Sequence, residues 1–142
     1  MNDGRSGDDP KSDILVVDDS PDIRLLARIV LDRAGFTVRE ASTAEEALVL
    51  IGQLVPEVLL LDLQLPGLDG WGLLTDLRER GCLDATRVVL FSAHVDPREF
   101  RRAADEGASG YLTKPFTAQQ LVQSVEQARV VESRVVESRV IE

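Results

Sequence analysis

Three short, continuous apolar runs punctuate the chain: Ile14-Leu15-Val16-Val17, Val58-Leu59-Leu60-Leu61 and Val88-Val89-Leu90-Phe91. Runs of this length, rich in β-branched and aliphatic residues, predict strands buried on both faces, as in the middle of a parallel sheet. Phe36-Thr37-Val38-Arg39-Glu40 alternates instead, which predicts a half-buried or edge strand. Tyr111-Leu112-Thr113 reads as a last short strand ending at Lys114-Pro115.

Helical patterns fill the intervals. Ser20 followed by Pro21 is a side-chain cap followed by the residue best tolerated at the first helical position. Ile23, Leu26, Ala27 and Val30 then recur at helical spacing, and Gly35 closes the segment. Ser42 and Thr43 each stand three residues before a glutamate, so either is placed to form a capping box for a helix running to about Gly52. A loop with Pro66, Gly67 and Gly70 leads to a helix from about Trp71 to Arg80, stopped by Gly81. Asp96-Pro97 repeats the cap-then-proline start, with Phe100, Ala103 and Ala104 as the expected buried stripe. Thr117 with Gln120 opens the final helix, carried by Leu121, Val122, Val125 and Ala128. Five alternations of strand and helix predict a three-layer α/β domain, a parallel sheet covered by helices on both faces, over residues 13–130.

The ends read differently. Residues 1–12 are polar and charged with little to bury, and are expected to be a disordered leader. Val-Val-Glu-Ser-Arg occurs at 130–134 and again at 135–139, a five-residue period that fits neither helix nor strand. Residues 131–142 are therefore expected to be an extension, either disordered or continuing the last helix with a weak coiled-coil-like stripe through Val131 and Val135. Composition narrows the function. The net charge of −9 argues against nucleic acid or an anionic membrane as the partner of this domain. The single cysteine, Cys82, allows no internal disulfide. No apolar run approaches a membrane span, and the start lacks the apolar core of a signal peptide, so the expected location is the cytoplasm.

Chemistry concentrates at the carboxyl ends of the predicted strands. The first delivers Asp18 and Asp19, the third Asp62, the fourth Ser92 and the fifth Lys114. In an open parallel sheet these ends share one rim, where ligands bind. Crowded carboxylates repel, and Lys114 offsets only part of their charge. The remainder suits a hard divalent cation with oxygen ligands, which describes Mg²⁺, and no His/Cys set is present for zinc or copper. A carboxylate beside such a metal, with an ammonium and a hydroxyl nearby, is a phosphoryl acceptor site. Repulsion alone predicts that removing either Asp18 or Asp19 raises the stability of the metal-free fold.

These residues carry a family resemblance. The chain resembles the receiver domain of two-component response regulators, and is similar to the single-domain chemotaxis type. The matching segments are Val16-Val17-Asp18-Asp19-Ser20, Leu61-Asp62 through Pro66-Gly67-Leu68-Asp69-Gly70, Phe91-Ser92-Ala93 and Tyr111-Leu112-Thr113-Lys114-Pro115-Phe116. Ser92 and Lys114 follow Asp62 by 30 and 52 residues, the family's usual spacing. The resemblance implies a flavodoxin-like fold with five parallel strands in the order 2-1-3-4-5 and five helices. It implies that Asp62 accepts a phosphoryl group from a sensor histidine kinase or a phosphotransfer protein. Mg²⁺ would be held by Asp19, Asp62 and the backbone carbonyl of Gln64, with Asp18 acting through water. Ser92 and Lys114 would contact the phosphoryl oxygens, and Lys114-Pro115 would be a cis peptide. Ser92 and Tyr111 would form the switch that alters a partner-binding surface, while Gln64 and His94 stand where the family tunes dephosphorylation. The output would go to another protein or to an output domain outside this sequence, and the domain would modify and demodify itself without turning over a separate substrate.

Other readings fit less well. A helix cap needs one acceptor, not the Asp18-Asp19 pair. Asp69-Gly70 suits a loop and helix start, Trp71 suits packing, and Asp8-Asp9 has no strand before it. A haloacid-dehalogenase-type phosphatase wants a second aspartate two residues after the nucleophile, where Gln64 stands. A flavodoxin-like cofactor binder wants a glycine-rich loop after the first strand. A receiver-shaped docking module that works without phosphorylation remains as the alternative.

Overall fold

The computed structural model describes residues 13–93 and 96–130. The leader 1–12, His94 and the repeat of 131–142 lie outside the described residues, and so do the expectations attached to them. Five strands form: β1 (Asp13–Val17), β2 (Thr37–Ala41), β3 (Val58–Asp62), β4 (Arg87–Ser92) and β5 (Gly110–Thr113). They alternate with α1 (Pro21–Arg33), α2 (Ala44–Gln53), α3 (Gly70–Glu79), α4 (Pro97–Asp105) and α5 (Ala118–Val130), with one 3₁₀ turn at Cys82–Asp84. All pairings are parallel and the spatial order is β2-β1-β3-β4-β5, so the alternating strand is indeed an edge.

Side chains of each strand alternate between two cores. Ile14, Val16, Leu60, Val89 and Phe91 face Ala27 and Leu31 of α1 and Leu121, Val125 and Ala128 of α5. Leu15, Val17, Leu59, Leu61 and Leu90 face α2 and α3 through Ala44, Ala47, Ile51, Leu73, Leu74 and Leu77. Because both faces are covered, the central strands carry no polar residue between their first and last positions.

The caps explain where the helices begin. The Ser20 hydroxyl accepts from the Ile23 N–H, with Pro21 behind it. Thr43, not Ser42, caps α2, accepting from the Glu46 N–H. Glu46 returns a bond to the Ser42 N–H, so the box is closed one residue further back than the usual pattern. Asp69 accepts from the Gly72 N–H and starts α3 at Gly70. Thr117 and Gln120 exchange reciprocal bonds.

Two expected stripes are corrected. In α1 the buried line runs through Ala27 and Leu31, flanked by Ile23 and Val30, and Leu26 is turned outward. In α4 only Ala103 is buried; Phe100 is 40% exposed and Ala104 faces solvent. The short edge strand β5 offers α4 a narrow floor, too small to bury three positions.

Candidate functional site

The ends of β1, β3, β4 and β5 bring the expected residues to one rim. One carboxylate oxygen each from Asp18, Asp19 and Asp62 lies within 4.8 Å of the others. Lys114 crosses to this cluster from the end of β5. Its ammonium donates to Asp18 Oδ2 at 2.7 Å and stands 3.5 Å from Asp62 Oδ2. It also lies over the Phe91 ring, which in turn stacks on Phe116. The Lys114-Pro115 peptide is cis, as the resemblance implies, and the Lys114 N–H is bonded to the Ser92 carbonyl.

The three carboxylates are held in different ways. Asp18 is fully buried, and its other oxygen accepts from the Ser20 N–H at 2.9 Å. Asp62 is 4% exposed, with Oδ1 accepting from the Gln64 N–H at 3.0 Å. Asp19 is exposed. Burial raises the Asp62 carboxyl above the usual carboxylate range. The Gln64 N–H opposes this, the charge of Asp18 adds to it, and Lys114 opposes it again. Asp18 is thus not merely crowded: it is the counter-ion of Lys114 and a local cap, so the expectation that its removal stabilises the fold is revised, whereas that expectation stands for Asp19.

An oxygen-only donor set, two members buried and the third open to solvent, matches what a hard divalent cation takes. Crowding of like charge beside one ammonium gives such an ion something to neutralise. The residues present fit Mg²⁺.

Ser92 lies at the end of β4, only 1% exposed. Its hydroxyl bonds the Tyr111 phenol oxygen, and the Tyr111 hydroxyl donates to Glu99 Oε1 of α4 at 2.9 Å. The Tyr111 ring also meets Phe100, with centroids 4.4 Å apart and planes tilted by 57°. Burial raises the phenol above its usual range; the Ser92 bond opposes the shift and the Glu99 carboxylate reinforces it. The structure therefore brings Ser92 and Tyr111 together and joins them to α4. The Gln64 side chain is exposed at the same rim. Trp71 packs beside the core under the guanidinium of Arg102, 4.0 Å from the ring centroid.

Sequence reasoning missed three contributors. Gly70 suits a loop and helix start by sequence, yet a Cβ there would also lie 2.4 Å from the Asp62 carbonyl oxygen and 2.6 Å from Leu63 Cα. The start of α3 can press against the backbone of Asp62 and Leu63 only because Gly70 has no side chain. Glu99 and Arg24 lie within helical segments, and nothing in their spacing signals that they reach Tyr111 and the Asp18 carbonyl.

Comparison with known proteins agrees with this geometry. The family model described as the response regulator receiver domain matches residues 14–126. The positive alginate biosynthesis regulatory protein of Pseudomonas aeruginosa is 41% identical over 119 residues, covering 81% of this chain and 46% of that protein. A 14.6 kDa protein of Leptolyngbya boryana, encoded in the sodA1 3′ region, is 36% identical over 81% of this chain and 88% of its own. Among solved structures, the receiver domain of NtrX from Brucella abortus superposes with a TM-score of 0.77 at 35% identity, covering 84% of this chain and 99% of that one. The chain spans less than half the length of the alginate regulator, whose further activities belong to that protein. With the fold order, the acidic rim and the family match in agreement, this chain belongs to the response regulator receiver domain family, the phosphoacceptor switches of two-component systems.

Proposed function

We propose that Asp62 is the phosphoacceptor of this switch, and that the domain, spanning residues 13–130, passes the change to a partner through Ser92, Tyr111 and α4. The observation that carries this reading is the buried Asp62 carboxylate, tied by one oxygen to the Gln64 N–H while the other faces Lys114 across 3.5 Å. That tether fixes the nucleophile's orientation, and positioning is most of what phosphoryl transfer asks of a protein. An Asp62 oxygen forms its bond to phosphorus as the donor's N–P bond breaks, and the donor imidazole leaves with the electron pair. The Lys114 ammonium then faces oxygens of the acyl phosphate, and the Ser92 hydroxyl exchanges Tyr111 for one of them.

The proposed Mg²⁺ ligands are Asp19, Asp62 and the Gln64 carbonyl, with Asp18 acting through water. When bound, the ion supplies the positive charge that lets three carboxylates and a phosphoryl group share one rim. The donor is a histidine kinase or phosphotransfer protein of the cytoplasm, and the receiver of the output is another protein or domain. Gln64 and His94 are the candidates for setting how fast water removes the group. In this reading the domain turns over no separate substrate. Among the described residues no helix is long and apolar enough to cross a membrane.

Acetyl phosphate with Mg²⁺ tests the reading. One acid-stable, base-labile phosphoryl group is expected, located at Asp62 by mass spectrometry, with no labelling of Asp62→Asn. Full labelling of that variant, or labelling undiminished by chelation, overturns the assignment. Binding of a partner unaffected by phosphorylation would favour the phosphorylation-independent docking module.

A further inference from the structure

Asp19 is the least supported member of the acidic rim. Asp18 and Asp62 are each fixed by a backbone N–H and by Lys114. The Asp19 side chain makes no hydrogen bond or ion pair among the described residues and is exposed. Its place is therefore set by the backbone of the β1–α1 turn alone. Besides the Ser20 N–H bond to Asp18 Oδ1, that backbone has two anchors at Asp18 itself. The Asp18 N–H continues the ladder to the Ala41 carbonyl at 3.1 Å, and the Asp18 carbonyl accepts from Arg24 Nη1 at 2.7 Å.

The second anchor is itself held. Arg24 stands one turn into α1, and its side chain is only 18% exposed. Its Nε donates to Glu40 Oε1 on edge strand β2 at 3.2 Å, while Arg28 Nε, one helical turn on, holds Glu40 Oε2 at 2.5 Å. The Arg28 bond, with that of Arg24, outweighs partial burial and keeps the Glu40 carboxyl below its usual range, so it stays ionised near neutrality. A carboxylate pinned from both sides fixes the guanidinium plane of Arg24 and so directs Nη1 at the Asp18 carbonyl. The rigid fork of arginine can make both bonds at once; the point donor of lysine cannot.

We propose that Arg24, clamped by Glu40 and Arg28, is a positioning residue that sets the β1–α1 turn and thereby presents Asp19 to the divalent cation. The inference rests on the reading of the rim as a Mg²⁺ site. Arg24 touches no reacting atom; it acts on Asp19 through the main chain, as outer partners of metal ligands do elsewhere.

The test uses the whole chain with Arg24→Lys, Arg24→Met and Glu40→Gln, plus Arg28→Met as the outer support. Mg²⁺ affinity is measured by calorimetric titration, and the amide resonances of residues 18–20 are recorded in the metal-free protein. Arg24→Lys and Arg24→Met are each expected to weaken Mg²⁺ about tenfold, the lower end of what outer-partner mutations cost. Both should shift the Asp19 and Ser20 amides without metal, and Glu40→Gln should weaken Mg²⁺ more than Arg28→Met. Since Arg24→Lys keeps the charge, its loss of affinity would identify geometry and not electrostatics as the cause. Wild-type affinity in both Arg24 variants overturns the inference whatever the amides do. A parent protein that binds no Mg²⁺ fails before any variant does; that separate outcome overturns the functional reading and this inference with it.

Discussion

The acidic rim and the α4 corner are built on the same sheet edge but held by different means. At the rim, Asp18, Asp62 and Lys114 are tied to one another, to main-chain N–H groups and to the phenylalanine pair beneath. At the corner, α4 buries one alanine and reaches the sheet through Phe100 and Glu99, both on the Tyr111 side chain. On the opposite side of the molecule α5 buries Leu121, Val125 and Ala128. In the proposed reading the difference separates two demands. Capturing a phosphoryl group needs charges fixed in advance, whereas reporting the event needs an element that moves for little energy. Serine and tyrosine sit at the seam, because Ser92 belongs to the rim and Tyr111 to the corner.

The comparison can be broken at several places, the strongest first. Lys114→Met leaves two buried carboxylates without their cation and is expected to cost about 3 kcal/mol, the range for breaking a buried pair. Urea unfolding measures it, and a cost comparable to a surface lysine would mean the rim is not pre-fixed. Asp62→Asn is expected to act in the opposite direction, stabilising the metal-free domain at pH 7 by less than Lys114→Met costs. The sign follows from its raised carboxyl. A group that holds its proton more tightly when folded favours the fold at low pH, and that contribution fades as pH rises through the folded value. The gain from Asp62→Asn should therefore shrink as pH falls toward the ordinary carboxylate range, which melts across pH would reveal. A gain independent of pH would point to packing instead.

The two neighbouring aspartates should split. Without metal, Asp19→Ala is expected to raise stability by a few tenths of a kcal/mol, as removal of exposed like charge does. Asp18→Ala is expected to lower it by about 1–3 kcal/mol, since Lys114 and the Ser20 N–H lose an acceptor. The same sign in both variants would erase the distinction the structure draws between them. At the corner, Phe100→Ala should cost under about 1 kcal/mol, far less than the 2–5 kcal/mol expected for Leu121→Ala in α5. Amides of α4 should exchange with solvent faster than those of α5. Equal costs and equal exchange would show α4 to be as firmly seated as the rest.

The order of elements was legible because each carries a local signature. The double-sided apolar runs, the Ser20-Pro21, Asp96-Pro97 and Thr117–Gln120 starts, and glycine stops at 35 and 81 all act within a few residues. The rim was legible too: a parallel sheet places every strand's carboxyl end on one side, so Asp18, Asp62, Ser92 and Lys114 are gathered by topology once the strands are found. What periodicity could not give was depth. Leu26, Phe100 and Ala104 fit the helical pattern but lie outside the core, because burial depends on how wide a floor the sheet offers each helix.

Local pattern sufficed for which elements form, their alternation and the set of groups at the rim, and the resemblance supplied the sheet order. How those groups differ emerges only once the elements pack. Asp18 became the buried partner of Lys114 and Asp19 the open one, Gly70 became the seat for the Asp62 backbone, Glu99 reached Tyr111, and Arg24 with Glu40 took hold of the β1–α1 turn. Each of these contacts joins residues through side-chain reach and packing across elements. Such contacts leave no period and no spacing along the chain, since their geometry exists only after helix and sheet have docked.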